Sequence, residues 1–398
     1  MAKPSRTWAE IDLLNVAGNV KTIRKLIRPD VKLMCVVKAD AYGHGVEGIV
    51  PVLVENGADM LAVASLDEGI QLREMGVNIP ILILGYTDPE RAEEVVVYGL
   101  SQTVSDHELA KALSDAAGTK GCRAVIHVKV DTGMGRFGIT AGSNDVEQIS
   151  EICALPGLDA EGIFTHFAVA DSDENEYTEE QFAKFTDLIE RLSRSGISFR
   201  LRHACNSAGM LKFPGMHLDM VRPGILLYGI SPASSIDISA EGFKPVMTLK
   251  SGIAMIKDLK RGSSVSYGRK YTACRDTKTA VISIGYADGY LRALSDRSEV
   301  LINGRRYPVI GTICMDACIA DISDSAVNIS SGDEVVLIGC SGDEMISVDE
   351  LADKLGSISY EVVCTIGRRV PRVFISPDGT RKVRNMLLDN GVLNVIGP

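Results

Sequence analysis

Lys38 follows directly on the apolar run 32–37, in the stretch Val37-Lys38-Ala39-Asp40-Ala41-Tyr42-Gly43-His44-Gly45. An amine at the mouth of a buried strand is partly desolvated, so its pKa can fall and it can form a Schiff base with a carbonyl compound. The run 124–130, which contains Lys129, leads into Asp131-Thr132-Gly133-Met134-Gly135-Arg136, a glycine-rich loop carrying an arginine. The run 162–165 leads into His166, the run 199–203 ends in His203 and is followed by Asn206-Ser207, and 218–221 leads into Arg222-Pro223-Gly224-Ile225. Taken singly, each of these residues favours a structural role, because lysines after strands are usually solvated and glycine loops occur everywhere. Their common position after successive apolar runs is what points to a shared site.

Eight strand-type runs can be read, at 32–37, 60–64, 80–84, 101–104, 124–130, 162–165, 199–203 and 218–221. Several are continuous apolar blocks, as strands buried on both faces of a parallel sheet are. Between them lie helical periods, such as Leu13, Val16, Val20, Ile23 and Ile27, or Phe182, Phe185, Ile189 and Leu192. The pattern predicts an α/β chain beginning with a (β/α)8 TIM-type barrel, whose reacting groups would gather at the C-terminal strand ends. A doubly wound open sheet is the alternative. After a Ser/Pro/Ala-rich linker at 231–241 the texture changes to short β-type runs at 246–256, 279–284, 300–302, 307–310, 318–322 and 334–338. Asn303-Gly304 predicts a type I′ hairpin, and Ser347 and Gly356 bracket one helix at 348–355. The expected division is a barrel at 1–240 and a mostly β domain at 241–398.

Composition narrows the partners. The 398 residues carry 42 basic and 52 acidic side chains, a formal net charge of -10, which argues against nucleic acid or an anionic membrane surface. No apolar run reaches the ~18 residues of a membrane span, and no secretory signal pattern is visible, so the cytoplasm is expected. Nine cysteines stand singly with no Cys-x-x-Cys pair, so neither a metal site nor a disulfide framework is expected.

The blocks VVKADAYGHG, VKVDTGMGRFG, HFA, NSAG, VRPGILLYG, VSYGRKY, GYADGY, GTICMD and SYEVVCTIGRRVPR, in that order from Trp8 to about Arg372, resemble the bacterial alanine racemases. The resemblance implies a barrel plus a β domain, pyridoxal 5′-phosphate as cofactor, a small amino-acid substrate, and a head-to-tail homodimer with shared active sites. The implied activity is interconversion of L- and D-alanine by two bases, which supplies D-alanine for cell-wall peptidoglycan.

Residue by residue, the resemblance makes Lys38 the cofactor-bearing lysine and first base, and Tyr267 the second base, delivered from the other subunit. One group removing the α-proton and another returning a proton from the far side is what inversion requires. A His166–Arg222 pair would assist, with Arg222 toward the pyridine nitrogen. Tyr42, Asn206, Ser207, Gly224, Ile225 and Tyr360 would complete the cofactor site, mostly around the phosphate. Arg136 and the Met315 backbone would take the substrate carboxylate, with Lys129, Asp316 and Arg292 in support; Lys129 matches a lysine often carbamylated in the family. Tyr360 points to a small side chain such as methyl.

Thr312 stands where many members have arginine in the access corridor, leaving Arg292 as the corridor cation. His44 and Asp288 read as structural. A decarboxylase on the same plan and a non-catalytic pyridoxal-phosphate carrier are the rivals.

Overall fold

The computed structural model describes residues 6–388 and 394–396. Its first half is the expected barrel. The parallel strands Lys32–Val36, Met60–Val63, Ile81–Ile83, Ser101–Val104, Ala124–Asp131, Leu158–Phe164 and Leu201–His203 lie side by side in chain order, and Met220–Val221 pairs back onto the first. The seam between Leu201–His203 and Met220–Val221 closes through backbone bonds from Asp219 N to Arg202 O and from Arg222 N to Cys205 O, both 3.0 Å. Leu33, Met34, Leu61, Leu82, Ile126 and Val128 are fully buried, which is why these runs read as unbroken apolar blocks. Some of the intervening helices start on side-chain caps, as at Ser65, whose hydroxyl accepts from Glu68 N while the Glu68 carboxylate returns to the cap backbone.

The second half is a mixed, mostly antiparallel sheet. Its order is Arg305–Pro308, Glu299–Ile302, Glu334–Ser341, Met247–Leu259, Thr7–Asp12, Arg372–Ile375, Arg381–Arg384 and Asn394–Ile396. The 13-residue strand Met247–Leu259 changes partners along its length. Residues 249–252 pair with 334–338, and beyond a register shift after Ile253 the strand runs along Thr277–Ile282. Asn303 (φ 49°) and Gly304 (φ 76°) make the predicted hairpin turn, and the predicted helix is found at Val348–Leu355, capped by Ser347 Oγ and ended by Gly356 at φ 66°.

Two features depart from the sequence reading. Thr7–Asp12 is a strand that periodicity did not reveal, and it belongs to the second sheet, antiparallel to Met247–Leu259 and parallel to Arg372–Ile375. The strand Leu158–Phe164 begins four residues before the apolar run that announces it, because Asp159 and Glu161 break the hydrophobic pattern. Among the described residues, no helix is long and apolar enough to cross a membrane.

Candidate active site

The strand Lys32–Val36 ends one residue before Lys38, and the chain then makes an unusual turn. Ala39, Asp40, Ala41 and Tyr42 all adopt left-handed helical angles, with φ between 53° and 54°. For L-residues this costs roughly 1–2 kcal/mol each, so the surroundings must hold it. They do so at several points. Glu68 Oε1 accepts from Ala39 N at 2.7 Å, Asp40 Oδ1 accepts from Val46 N at 2.9 Å, and Arg372 donates to Gly43 O through Nε (3.0 Å) and Nη2 (2.8 Å). Gly43 also packs where a Cβ would lie 2.3 Å from Val363 O. The outcome is that Lys38 and Tyr42 face one cavity of about 820 Å3 at the C-terminal strand ends.

Lys129, Arg136, His166, Asn206, Ser207, Arg222, Gly224, Ile225 and Tyr360 line the same cavity. Two lysines and two arginines therefore meet there, and Glu361 is the one carboxylate among the lining residues. Such a chamber favours an anionic guest and disfavours protonated amines. Burial lowers the pKa of Lys38, and the Arg136 charge lowers it further. Lys129 is nearly buried over the Phe164 ring, 4.7 Å from its centroid, and its pKa is pushed well down by burial and then by Arg222 and Arg136. Both amines have a reason to be neutral nucleophiles.

The glycine-rich loop is shaped by Asp131. Its carboxylate accepts backbone N–H bonds from Gly133 (2.9 Å), Met134 (2.9 Å), Gly135 (3.2 Å) and Arg136 (3.1 Å). Partial burial opposes ionisation of Asp131, but these donors prevail and hold its pKa low.

Arg222 is buried, and both of its terminal nitrogens are bound. Nη1 lies 2.9 Å from His203 Nδ1, and Nη2 reaches Thr165 O (2.8 Å), Ala204 O (2.9 Å) and His166 Nδ1 (3.2 Å). A guanidinium only donates, so both Nδ1 atoms accept and both imidazoles carry their proton on Nε2. Burial and then Arg222 push His166 and His203 well below the usual imidazole range, so both are neutral. Burial brings Arg222 itself down to about 10, still a cation at neutral pH.

Pyridoxal phosphate fits this chamber. Gly224 donates to Ser207 Oγ at 3.0 Å, and a Cβ on Gly224 would lie 2.4 Å from Tyr42 Oη, so the glycine keeps open a cradle of two hydroxyls and backbone amides. Neutral, oriented dipoles of this kind suit a phosphate. The Asn206 side chain accepts from Gly209 N at 2.9 Å and so caps the short helix that presents Ser207.

Tyr267, Met315, Asp316 and Arg292 do not line the cavity of their own chain. Tyr267 is 71% exposed and Met315 51%. Thr312 ties the Tyr267 turn down, its hydroxyl donating to Tyr267 O at 2.9 Å, while Ser266 Oγ donates to Thr312 O. Met315 O accepts from Ala287 N at 3.1 Å. Asp316 pairs with Arg369 at 2.6 Å, and buried Asp288 takes both Nη atoms of Arg6 at 2.8 Å. Arg292 is exposed in the short turn Arg292–Leu294.

Sequence reasoning missed the groups behind Arg222. His203 Nε2 lies 2.9 Å from His127 Nδ1, and His127 Nε2 lies 3.3 Å from Glu161 Oε2. Gly162 makes room for this, since a Cβ there would meet His127 Nδ1 at 2.3 Å. The available signal was alternation: His127, Lys129 and Asp131 are polar residues two apart on one apolar strand, hence on its inward face. His44 stacks on Tyr228 (4.4 Å between centroids), its Nδ1 near Ala41 O and Tyr42 O.

Comparison with known proteins agrees with this geometry. The description "Alanine racemase, N-terminal domain" matches residues 11–232, and "Alanine racemase, C-terminal domain" matches 246–374. The alanine racemase of Desulforamulus reducens is 45% identical over 368 residues, covering 92% of this chain and 98% of that protein. Among solved structures, the alanine racemase of Clostridium difficile 630 superposes with a TM-score of 0.92 at 39% identity, covering 96% of this chain and 99% of that one. The alanine racemase of Bartonella henselae, described with covalently bound pyridoxal phosphate, gives a TM-score of 0.84 at 26% identity, covering 94% and 100%. By cavity, sheet order and these likenesses, the chain belongs to the alanine racemase family.

Proposed function

We propose that the protein interconverts L- and D-alanine using pyridoxal phosphate held by Lys38. The observation that carries the reading is the single cavity shared by the depressed Lys38 amine, the Tyr42–Ser207–Gly224 cradle and the Arg222–His166 pair. The cofactor, when bound, supplies an electron sink for the pair left as the substrate's α-proton departs. Tyr42, Ser207, Gly224, Ile225 and Tyr360 would hold its phosphate, and Arg222 its ring nitrogen. On one face Lys38 would take the α-proton as the free amine, or return one as the ammonium when the reaction runs the other way. Arg136 pairs with the substrate carboxylate, helped by the backbone of Met315 of the partner subunit. The second proton site is Tyr267 of the partner subunit, assisted by His166 and Arg222.

The two-subunit arrangement is supported by the exposure of Tyr267 and Met315 and by their position outside their own chain's cavity. In this reading the segment 1–240 carries the cofactor, and 241–398 supplies the partner's site, with Asp316 and Arg292 at its approach. Lys129, whose pKa is lowered by burial and then by Arg222 and Arg136, is suited to add carbon dioxide as the free amine, releasing a proton to solvent, and become an anionic carbamate. Nine unpaired thiols accord with a reducing cytoplasm, where D-alanine is drawn into peptidoglycan.

The test is to incubate the purified protein and cofactor with one alanine enantiomer and follow optical rotation. Rotation should decay to zero, and a visible cofactor band should vanish in Lys38→Ala. A constant rotation, or release of carbon dioxide instead, would overturn the reading.

A further inference from the structure

The left-handed turn behind Lys38 is held from an unexpected direction. Arg372 and Arg384 stand directly opposite each other on the antiparallel strands Arg372–Ile375 and Arg381–Arg384. Two like charges in that relation normally repel. Here each reaches the same turn. Arg372 donates twice to Gly43 O, and Arg384 Nη1 lies 3.1 Å from both oxygens of Asp40, while its Nη2 lies 2.6 Å from Glu47 Oε1. The Arg384 side chain is only 12% exposed, against 25% for Asp40 and 11% for Glu47, so the pairs are weakly screened. Asp40 also accepts from Val46 N and thereby ties the far end of the turn to the next helix.

We propose that Arg384 is a positioning residue for Lys38: by clamping Asp40 it keeps the left-handed turn, and with it the amine, in register with the cavity. Arg384 lies beyond residue 374, where the match to the second family domain ends, so this role belongs to a segment outside the blocks that carry the chemistry. The inference rests on the reading of Lys38 as the cofactor-bearing amine.

The test compares Arg384→Gln, Arg384→Lys and, as a control on the same strand, the exposed Lys382→Gln, all in the full-length protein loaded with pyridoxal phosphate. Two measurements are made: amide hydrogen exchange over residues 39–46, and the rate at which the visible cofactor band is lost on dilution. Arg384→Gln should speed exchange in 39–46 at least about tenfold and cofactor loss several-fold. Arg384→Lys should restore much of both, and Lys382→Gln should change neither. Unchanged exchange and cofactor loss in Arg384→Gln, even with a lowered melting temperature, would overturn the proposal. Faster exchange in Arg384→Gln alongside a parent protein that develops no visible band would instead overturn the reading of Lys38.

Discussion

Arg222 meets His203 before it meets any carboxylate: Nη1 to Nδ1 is 2.9 Å, and the chain continues through His127 to Glu161 at the barrel's rim. The compensating anion is thus two imidazoles away, and the tautomers of both are dictated by the guanidinium. In the proposed site such a cation would face the pyridine nitrogen, disfavour its protonation and so limit the ring's capacity to hold charge. Arg222→Glu should reverse this, giving a new long-wavelength visible band and slow transamination to pyridoxamine phosphate. No rise in either would count against the assignment. His203→Leu should cost about 1–3 kcal/mol of stability, since it leaves a buried Nη1 donor without an acceptor; denaturant titration measures it.

The proposed sharing of sites between two subunits makes a quantitative prediction. Lys38→Ala and Tyr267→Phe should each lose activity by about 10²-fold or more as pure proteins. Refolded together at equal concentration, half the dimers would be mixed, each with one intact site of two. Activity should recover to about a quarter of the parent value. If the mixture stays inactive, the two bases do not come from different subunits.

In the proposed site Lys129, as a carbamate, would act through Arg136 rather than on the substrate. Lys129→Ala should raise the KM for alanine about tenfold with a smaller change in kcat, because the anion that the proposed carbamate would place beside Arg136 is lost. Millimolar acetate should partly restore the variant if an anion is what the site requires. An equal fall of kcat, without rescue, would contradict the assignment.

Five histidines, His44, His127, His166, His203 and His217, have their pKa lowered, in each case chiefly by burial. The unfolded chain therefore binds more protons than the folded one once pH falls below the ordinary imidazole value of about 6.5. Stability should be full above that value and fall as pH drops through it, until the folded-state values are reached. Calorimetry in buffers of different ionisation heat should show proton uptake on unfolding that grows between about pH 7 and 5.5. Flat stability across that window would show that these imidazoles are already charged in the folded protein.

The barrel was legible because its strands are buried on both faces, so that 32–36, 60–63 and 81–83 announce themselves as apolar blocks. Lys38, Arg136, His166 and Arg222 were legible as strand-end residues, and the cavity gathers them. The strand Thr7–Asp12 was not, since Glu10 and Asp12 on so short a segment carry no usable period and its partners lie more than 200 residues away. Nor were Glu161 and His127, polar residues inside strands whose pairing depends on the room left by Gly162. Arg384 was invisible for a further reason: only the cross-strand register with Arg372 brings it to Asp40.

Thr7–Asp12 also bears on how the molecule is made. Its neighbours on either side come from Met247–Leu259 and Arg372–Ile375, so the barrel is inserted, in topological terms, into a sheet begun by the chain's opening residues and finished near its close. On the ribosome the barrel can gather as it emerges, but its leading segment must wait, solvated, for its first neighbour until Met247–Leu259 arrives and for its second until Arg372–Ile375 does. A fragment severed after the barrel would keep that strand without either neighbour, and the cut would orphan a piece of the other half.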